Sequence, residues 1–164
     1  MTFPHLHDDP ARTTPIGLVR YACEFMETAL AADEKMGRRR GFEIVAPVPV
    51  MFIVGHSLEL ALKAFLLSKG VPLRTLRKDY GHSLHRTMRK AKELGLLCIV
   101  PLAEDEMETI ELLDALYSTK QLEYIVSGAK SYPVFGLLER ASLRLIHGIG
   151  PAVGFLPRNL PNVL

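Results

Sequence analysis

The sequence contains no tryptophan, only two cysteines and no low-complexity tract. Cys23 and Cys98 stand alone in apolar surroundings without a Cys-x-x-Cys partner, which predicts buried free thiols in a reducing compartment rather than a disulfide framework. The N-terminal sequence shows no basic region leading into an apolar one, so no secretory signal is expected. With 164 residues, of which 48% are hydrophobic and 23% charged, the chain predicts one folded cytoplasmic domain with one core.

Several chemical signatures are also missing from the sequence. It has no Gly-Lys-Ser/Thr phosphate loop, no zinc-ligand spacing and no Gly-x-Ser-x-Gly nucleophile elbow. We therefore expect neither a cofactor nor a resident metal. The five tyrosines lack the spacing of a stacking platform, which disfavours sequence-specific binding of single strands. The longest apolar segment is interrupted by polar residues, so a soluble protein is predicted rather than a membrane-spanning one.

The most prominent pattern in the sequence is the helical periodicity of its apolar residues. Apolar residues recur at three- and four-residue steps from Val48 to Lys69, which predicts a central helix with a wide buried face. His56, Glu59 and Lys63 form one polar stripe on this helix, because their spacing places them on neighbouring turns of one side. Two interpretations of the stripe stay open: an ion network that specifies the fold, which we favour, and a small-ligand or nucleotide pocket that also uses His82.

The same criteria predict four further helices, and capping or breaking residues set their approximate bounds: 15–36, 84–94, 102–118 and 133–146. Residues 120–126 either continue the fourth of the five helices or form another short one. Residues 42–50 are expected to be extended, 71–83 to form a loop and 96–101 to be packed coil. Together these segments predict an all-α, up-down helical bundle of four to six helices.

Three regions of the chain follow from this pattern: a flexible N-terminal arm at 1–13, a helical bundle at 14–147 and an irregular C-terminal tail at 148–164. The arm contains His5, His7, Asp8 and Asp9, whose side chains can bind metal only adventitiously in a mobile terminus. The tail is dense in glycine and proline, and we expect it to lie against the surface or a partner.

Charge is unevenly distributed despite a net charge of +2. The basic segment, residues 74–92, has seven lysines and arginines against Asp79 alone. The acidic segment, residues 104–114, has six carboxylates and no lysine or arginine. The two segments could bind separate partners or face each other across a helix pair. We favour mutual facing, because helices that are adjacent in sequence tend to be neighbours in space.

The central helix and the loop after it resemble a known family, the HEPN domains, over about residues 51–124. The family pattern is E..LKA.L....G followed by H-[DS]-L, and it is carried here by Glu59, Leu62-Lys63-Ala64, Leu66-Leu67, Gly70 and His82-Ser83-Leu84. Leu116-Tyr117 and Leu122-Glu123-Tyr124 resemble the family's later helix, although Glu123 stands where an arginine is common. The resemblance implies a helical bundle that dimerises, belongs to toxin–antitoxin or phage-defence systems and acts beside a nucleotidyltransferase-type partner.

Some HEPN domains are metal-independent endoribonucleases with an arginine, four to six residues and a histidine. Arg140 and His147 have this spacing, and in that reading His147 would be a general base on the RNA 2′-OH while Arg140 stabilises the transition state. Ala141 departs from the polar residue that usually follows the arginine. Arg77 and His82 also fit the spacing, but we interpret His82 as a partner of local backbone groups or of the polar stripe.

The favoured functional prediction is a binding or partner module that interacts with RNA or a nucleotide. Its predicted binding residues are His56, Glu59, Lys63, His82, Arg86 and Arg89. Metal-independent ribonuclease activity at Arg140 and His147 is the first alternative, and a purely structural or antitoxin-type interaction protein is the second. Fold analogy cannot choose among them, because function resides in the site.

Overall fold

A computed structural model describes residues 12–163, and over that range 64% of the residues are helical and none lies in a strand. The all-α prediction is therefore confirmed, while the up-down arrangement of a HEPN bundle remains a prediction. A π-helical turn, Leu76–Tyr80, joins the third and fourth of seven helices. The helices are α1 Pro15–Met36, α2 Val48–Ser68, α3 Leu73–Thr75, α4 Leu84–Glu93, α5 Leu96–Ile99, α6 Glu104–Tyr117 and α7 Phe135–Ala152. The predicted metal-capable residues His5 to Asp9 lie outside the described range.

Helix α1 begins where its capping residues predict. The Thr14 hydroxyl accepts a hydrogen bond from the Gly17 amide at 3.0 Å, and Pro15 occupies the first turn, where a missing N–H costs nothing. Its buried face, which includes Val19, Ala22 and Met26, packs against α2.

Helix α2 is the centre of the fold. It packs against α1, α4, α6, α7 and the π-helical turn, and 12 of its 21 residues are buried. By length and composition alone α2 could cross a membrane, although 67% of its most apolar 18-residue window is buried inside the bundle. Its apolar faces therefore contact other helices of the same chain, which accounts for hydrophobic residues on nearly all sides.

Several local predictions are wrong, and each has a physical reason. Residues 71–83, predicted to be a loop, contain α3 and the π-helical turn, because Leu76 is buried against the core. The predicted coil at 96–101 contains the one-turn helix α5, in which Leu96 is buried while the predicted buried thiol Cys98 is exposed. Residues 120–126 form turns and coil rather than helix, because Lys120 takes a left-handed backbone conformation at φ 61°.

Helix α7 differs from its predicted bounds at both ends. It begins at Phe135 rather than Pro133, and the Phe135 amide donates to the Ile44 carbonyl at 2.9 Å. It continues to Ala152, so the first residues of the predicted irregular tail are helical. Packing overrides the helix-breaking composition there, because Ile149 and Gly150 are buried.

The basic and acidic segments lie side by side, since α4 packs against α6. However, the only ion pair that joins them within residues 12–163 is His85 to Glu111, at 3.7 Å. The carboxylates of Asp105 and Glu106 instead bind arginines of α7. The segments are neighbours as predicted, but they do not neutralise each other.

Candidate functional site

The buried carboxylate of Glu59 organises a polar cluster beside α2. Only 3% of Glu59 is exposed. Its Oε1 accepts from Lys63 Nζ at 2.5 Å, and its Oε2 accepts from the Tyr117 hydroxyl at 2.6 Å. Burial alone would raise the pKa of Glu59, but the charge and hydrogen bond of Lys63, with the bonds from Tyr117 and His82, hold this pKa below its ordinary value. Glu59 is therefore an ionised acceptor at neutral pH.

His82 is the exposed member of this cluster. Its Nδ1 lies 2.9 Å from Glu59 Oε2, while 66% of its side chain is exposed. An ionised carboxylate can only accept, so Nδ1 carries the proton that is donated to Glu59. In the neutral imidazole this leaves Nε2 without a proton and available to a ligand. A buried carboxylate thus fixes both the orientation and the tautomer of an exposed histidine.

Lys63 and Gly81 hold the loop that carries His82. The second hydrogen bond of Lys63 Nζ goes to the Gly81 carbonyl at 2.6 Å, which ties this loop to α2. Gly81 has φ 50° and ψ −123°, a conformation that side-chain-bearing residues rarely adopt. Gly81 therefore makes the bend that points the chain back toward Glu59.

His56 also contacts Tyr117. Its Nδ1 is 3.3 Å from the Tyr117 oxygen, and its ring makes an edge contact with Phe25 at a centroid distance of 4.6 Å. Burial lowers the pKa of His56, against the raising effect of Glu59. Tyr117 fits because α2 has Gly55 there: a Cβ on Gly55 would lie 2.6 Å from Cδ2 of Tyr117. Burial, followed by the Glu59 charge, raises the pKa of Tyr117, so it remains a neutral donor.

The exposed part of His82 lies in an open cleft of about 360 Å³, here called the His82 cleft. Its lining comprises Lys78, Asp79, Tyr80, Gly81, His82, Ser83, Arg86 and Ser118. Both serines are engaged locally: Ser83 Oγ accepts from the Arg86 amide at 3.2 Å, and Ser118 Oγ donates to the Asp114 carbonyl at 2.7 Å. The cleft therefore offers cations and an oriented imidazole but no available serine nucleophile.

The start of α4 is not an open anion site. The Leu84 amide donates to Asp114 Oδ1 at 2.6 Å, so a carboxylate of this chain already occupies the positive end of the helix. Burial raises the pKa of Asp114 despite these backbone hydrogen bonds. Anion binding in the cleft would have to use side chains instead.

The predicted binding residues separate into two places. His56, Glu59, Lys63 and His82 form the Glu59 cluster, and Arg86 lines the adjoining cleft with its Nη1 3.5 Å from the Asp79 carbonyl. Arg89 lies elsewhere, in a small groove of about 80 Å³ between α4 and α6. The structure thus brings five of the six residues together.

The predicted catalytic pair is occupied by partners within the chain. Arg140 Nε binds Glu106 Oε1 at 2.9 Å, and an Nη of Arg140 binds Asp105 at 3.0 Å. His147 Nε2 donates to the Pro161 carbonyl at 2.9 Å, because a carbonyl can only accept. No hydrogen bond or ion pair joins Arg140 to His147 among the described residues. Two carboxylates neutralise the arginine, and the bond to Pro161 leaves Nδ1 as the only unprotonated nitrogen of a neutral His147.

Comparison with known proteins does not identify a family for this chain. No family model, curated protein or solved structure matches the chain. Over residues 12–163, no three His, Cys, Asp or Glu side chains are grouped so that they could hold a metal ion. The site must therefore be interpreted from its own chemistry.

Sequence reasoning missed two contributors to the site. Tyr117 attracted attention only through the HEPN resemblance, although its hydroxyl completes the Glu59 cluster. Lys78 was grouped with the basic segment rather than with His82. The turn at Gly81 places His82 in one cleft with Lys78, and the packing of α6 against α2 brings Tyr117 to Glu59. No periodicity along the chain reveals either contact.

Proposed function

We propose that this protein is a non-enzymatic binding module that recognises RNA through the basic segment, residues 74–92. The proposal rests on the exposure of the cations in this segment and on their lack of carboxylate partners. Arg74, Arg77, Lys78, Arg86 and Arg89 are exposed, and none of them has a carboxylate partner within residues 12–163. Cations without intramolecular partners are available to phosphate groups, and neutralisation of phosphates supplies most nonspecific affinity for nucleic acids.

The contrast with the cations of α7 supports this choice. Arg140 and Arg144 both bind the buried Glu106, so these two charges act within the fold. The same contrast argues against ribonuclease activity at Arg140 and His147, because the predicted transition-state stabiliser is already neutralised. We therefore propose binding without cleavage.

Salt dependence of RNA affinity tests the proposal. Wild-type protein should bind a fluorescein-labelled single-stranded RNA with an affinity that falls steeply between low and physiological salt. The triple variant Arg77→Gln, Arg86→Gln, Arg89→Gln should reduce the slope of log K against log salt by about 2, since each phosphate contact in single strands contributes about 0.7. Fluorescence anisotropy measures both quantities, and the RNA should remain intact on a denaturing gel.

Lys35→Gln is the matched control, because Lys35 is an exposed cation of α1 outside the basic segment. It should leave the slope unchanged. RNA binding that is absent in wild type, or equally reduced by Lys35→Gln, contradicts the proposed surface. RNA cleavage that persists in EDTA and is lost in Arg140→Ala would restore the ribonuclease alternative.

The HEPN resemblance supports two further parts of the proposal: a homodimer, and a toxin–antitoxin or defence setting with a nucleotidyltransferase-type protein partner. Both depend only on the residue pattern between Glu59 and Tyr124. Sedimentation equilibrium tests the first part, because a homodimer has twice the 18.3 kDa mass of the chain.

A further inference from the structure

We propose that the His82 cleft binds a phosphate monoester, the group found at a phosphorylated RNA end and in a nucleoside monophosphate, through Lys78, His82 and Arg86. This inference deepens the proposed RNA-binding function and rests on it. It assigns to the cleft a preference for a terminal phosphate over the internal phosphodiesters of the same strand.

The charges that line the cleft match a dianion. Lys78 and Arg86 are cationic, Asp79 is the one carboxylate in the lining, and Lys63 is already neutralised by Glu59. The net charge of the lining is therefore +1 with a neutral His82, and +2 when His82 is protonated. A phosphate monoester carries close to two negative charges at neutral pH, whereas an internal phosphodiester carries one.

The donors match a monoester in number as well. A monoester presents three terminal oxygens and a diester only two. Lys78, Arg86 and the Nε2 of a protonated His82 supply three charged donors from the π-helical turn, the Gly81 bend and the first turn of α4. Glu59 orients His82 for this contact, because its carboxylate accepts a hydrogen bond from Nδ1 and leaves Nε2 for the ligand.

The cleft has the dimensions of a small-ligand site. Its volume of about 360 Å³ lies at the lower end of the range for small-molecule pockets. Tyr80, which is half-buried in the lining, places an aromatic ring within the same cleft. One terminal nucleotide would fill such a site, while the rest of a strand would lie along the exposed arginines.

The test compares two pairs of ten-nucleotide RNAs, and the members of each pair differ only at one end. The first pair is labelled at the 3′ end and carries a 5′-phosphate or a 5′-hydroxyl, and the second is labelled at the 5′ end and carries a 3′-phosphate or a 3′-hydroxyl. We expect a phosphorylated end to tighten binding about tenfold relative to the hydroxyl strand. Adenosine monophosphate should compete for the cleft, whereas adenosine should not.

Variants separate the cleft from the rest of the basic segment. Lys78→Gln and Arg86→Gln should abolish the preference for the phosphorylated end. Arg89→Gln, the same change on the same helix as Arg86 but in the α4–α6 groove, should weaken binding of both strands equally and keep their ratio. His82→Gln should also abolish the preference, and its unfolding midpoint shows whether the Glu59 cluster survives. Lys78→Gln tests the cleft even if His82→Gln disrupts the Glu59 cluster, since Lys78 is exposed and makes no ion pair with any described residue.

The outcomes distinguish this inference from the function on which it rests. Equal binding of phosphorylated and hydroxyl strands, with the salt dependence intact, overturns the monoester site and leaves the RNA surface standing. Binding of adenosine monophosphate without binding of any strand overturns the RNA surface and assigns the cleft to a free nucleotide. A preference that survives both Lys78→Gln and Arg86→Gln overturns the location.

Discussion

At the scale of single residues, Glu59 is the side chain on which the site depends. It accepts from a lysine, a tyrosine and a histidine while only 3% exposed. Removing one partner of a buried ion pair leaves an uncompensated charge, and only 12% of the Lys63 side chain is exposed. We therefore expect the loss of one charged member of this cluster to lower the stability of the fold.

We expect Glu59→Gln to lower the free energy of unfolding at pH 7 by about 3–5 kcal/mol, measured by urea denaturation. The double variant Glu59→Gln, Lys63→Met should recover part of this loss, because it removes the unpaired ammonium group. A single variant within about 0.5 kcal/mol of wild type would contradict the role of Glu59.

The contribution of Glu59 should also depend on pH. Its pKa is lower in the folded chain than in the unfolded chain, so its ionised form stabilises the fold. That stabilisation is complete above the ordinary glutamate pKa of about 4.3 and is lost as the pH falls through the lowered value. The stability difference between wild type and Glu59→Gln should accordingly shrink below pH 4. A difference that grows with acidity would mean that the pKa of Glu59 is raised instead.

At the scale of helices, α6 and α7 are joined by a buried carboxylate. Glu106 is 0% exposed, and its oxygens accept from Arg140 Nε at 2.9 Å, Arg144 Nη1 at 3.2 Å and the Ala103 amide at 2.9 Å. The neighbouring Asp105 binds Arg140 at 3.0 Å but is 52% exposed. Both acids therefore bind Arg140, but the carboxylate of Glu106 is buried and that of Asp105 is largely in solvent.

This contrast gives a matched pair of variants. Glu106→Gln should cost about 1.5–3 kcal/mol, since it removes the buried charge that accepts from Arg140 and Arg144, which are themselves partly exposed. Asp105→Asn should cost less than about 1 kcal/mol, because exposed ion pairs contribute little. Thermal and urea denaturation of both variants measure the difference. Equal costs would show that the burial of Glu106 does not determine its contribution.

The helices themselves show which features a sequence can predict. The start of α1 follows from Thr14 and Pro15, because capping is a local interaction. The extension of α7 to Ala152 could not be predicted, since Gly148, Gly150 and Pro151 favour termination and only packing against other segments reverses that preference. Local signals therefore predicted that the chain is α-helical, but neither all of the helix ends nor the number of helices, which is seven over residues 12–163 rather than four to six.

In the candidate site, too, local contacts could be predicted from the sequence and long-range contacts could not. The spacing of Glu59 and Lys63 predicted their ion pair, because residues four apart on a helix are neighbours. Tyr117 reaches the same carboxylate from 58 residues away, which only the packing of α6 against α2 makes visible. Arg140 and His147 had a suggestive spacing, but the partner that neutralises Arg140 lies on another helix. Long-range partners determine which charged residues remain available.

At the scale of the whole molecule, the arrangement around α2 predicts cooperative unfolding. Every long helix packs against α2, so no pair of helices has a separate core. Leu62 belongs to α2 and is 0% exposed. Deleting its side chain should therefore weaken all the surrounding helices together rather than one of them.

We expect Leu62→Ala to cost about 2–5 kcal/mol, the usual range for a buried leucine. Its far-UV circular dichroism and tyrosine fluorescence should report one coincident transition in urea, because the buried Tyr117 belongs to the same core as α2. Leu97→Ala is the control: Leu97 is 38% exposed on α5, and its loss should leave the midpoint nearly unchanged. If the fluorescence transition separated from the circular dichroism transition in Leu62→Ala, α6 and its Tyr117 would unfold independently of α2, and the Glu59 cluster could not be a product of one cooperative core.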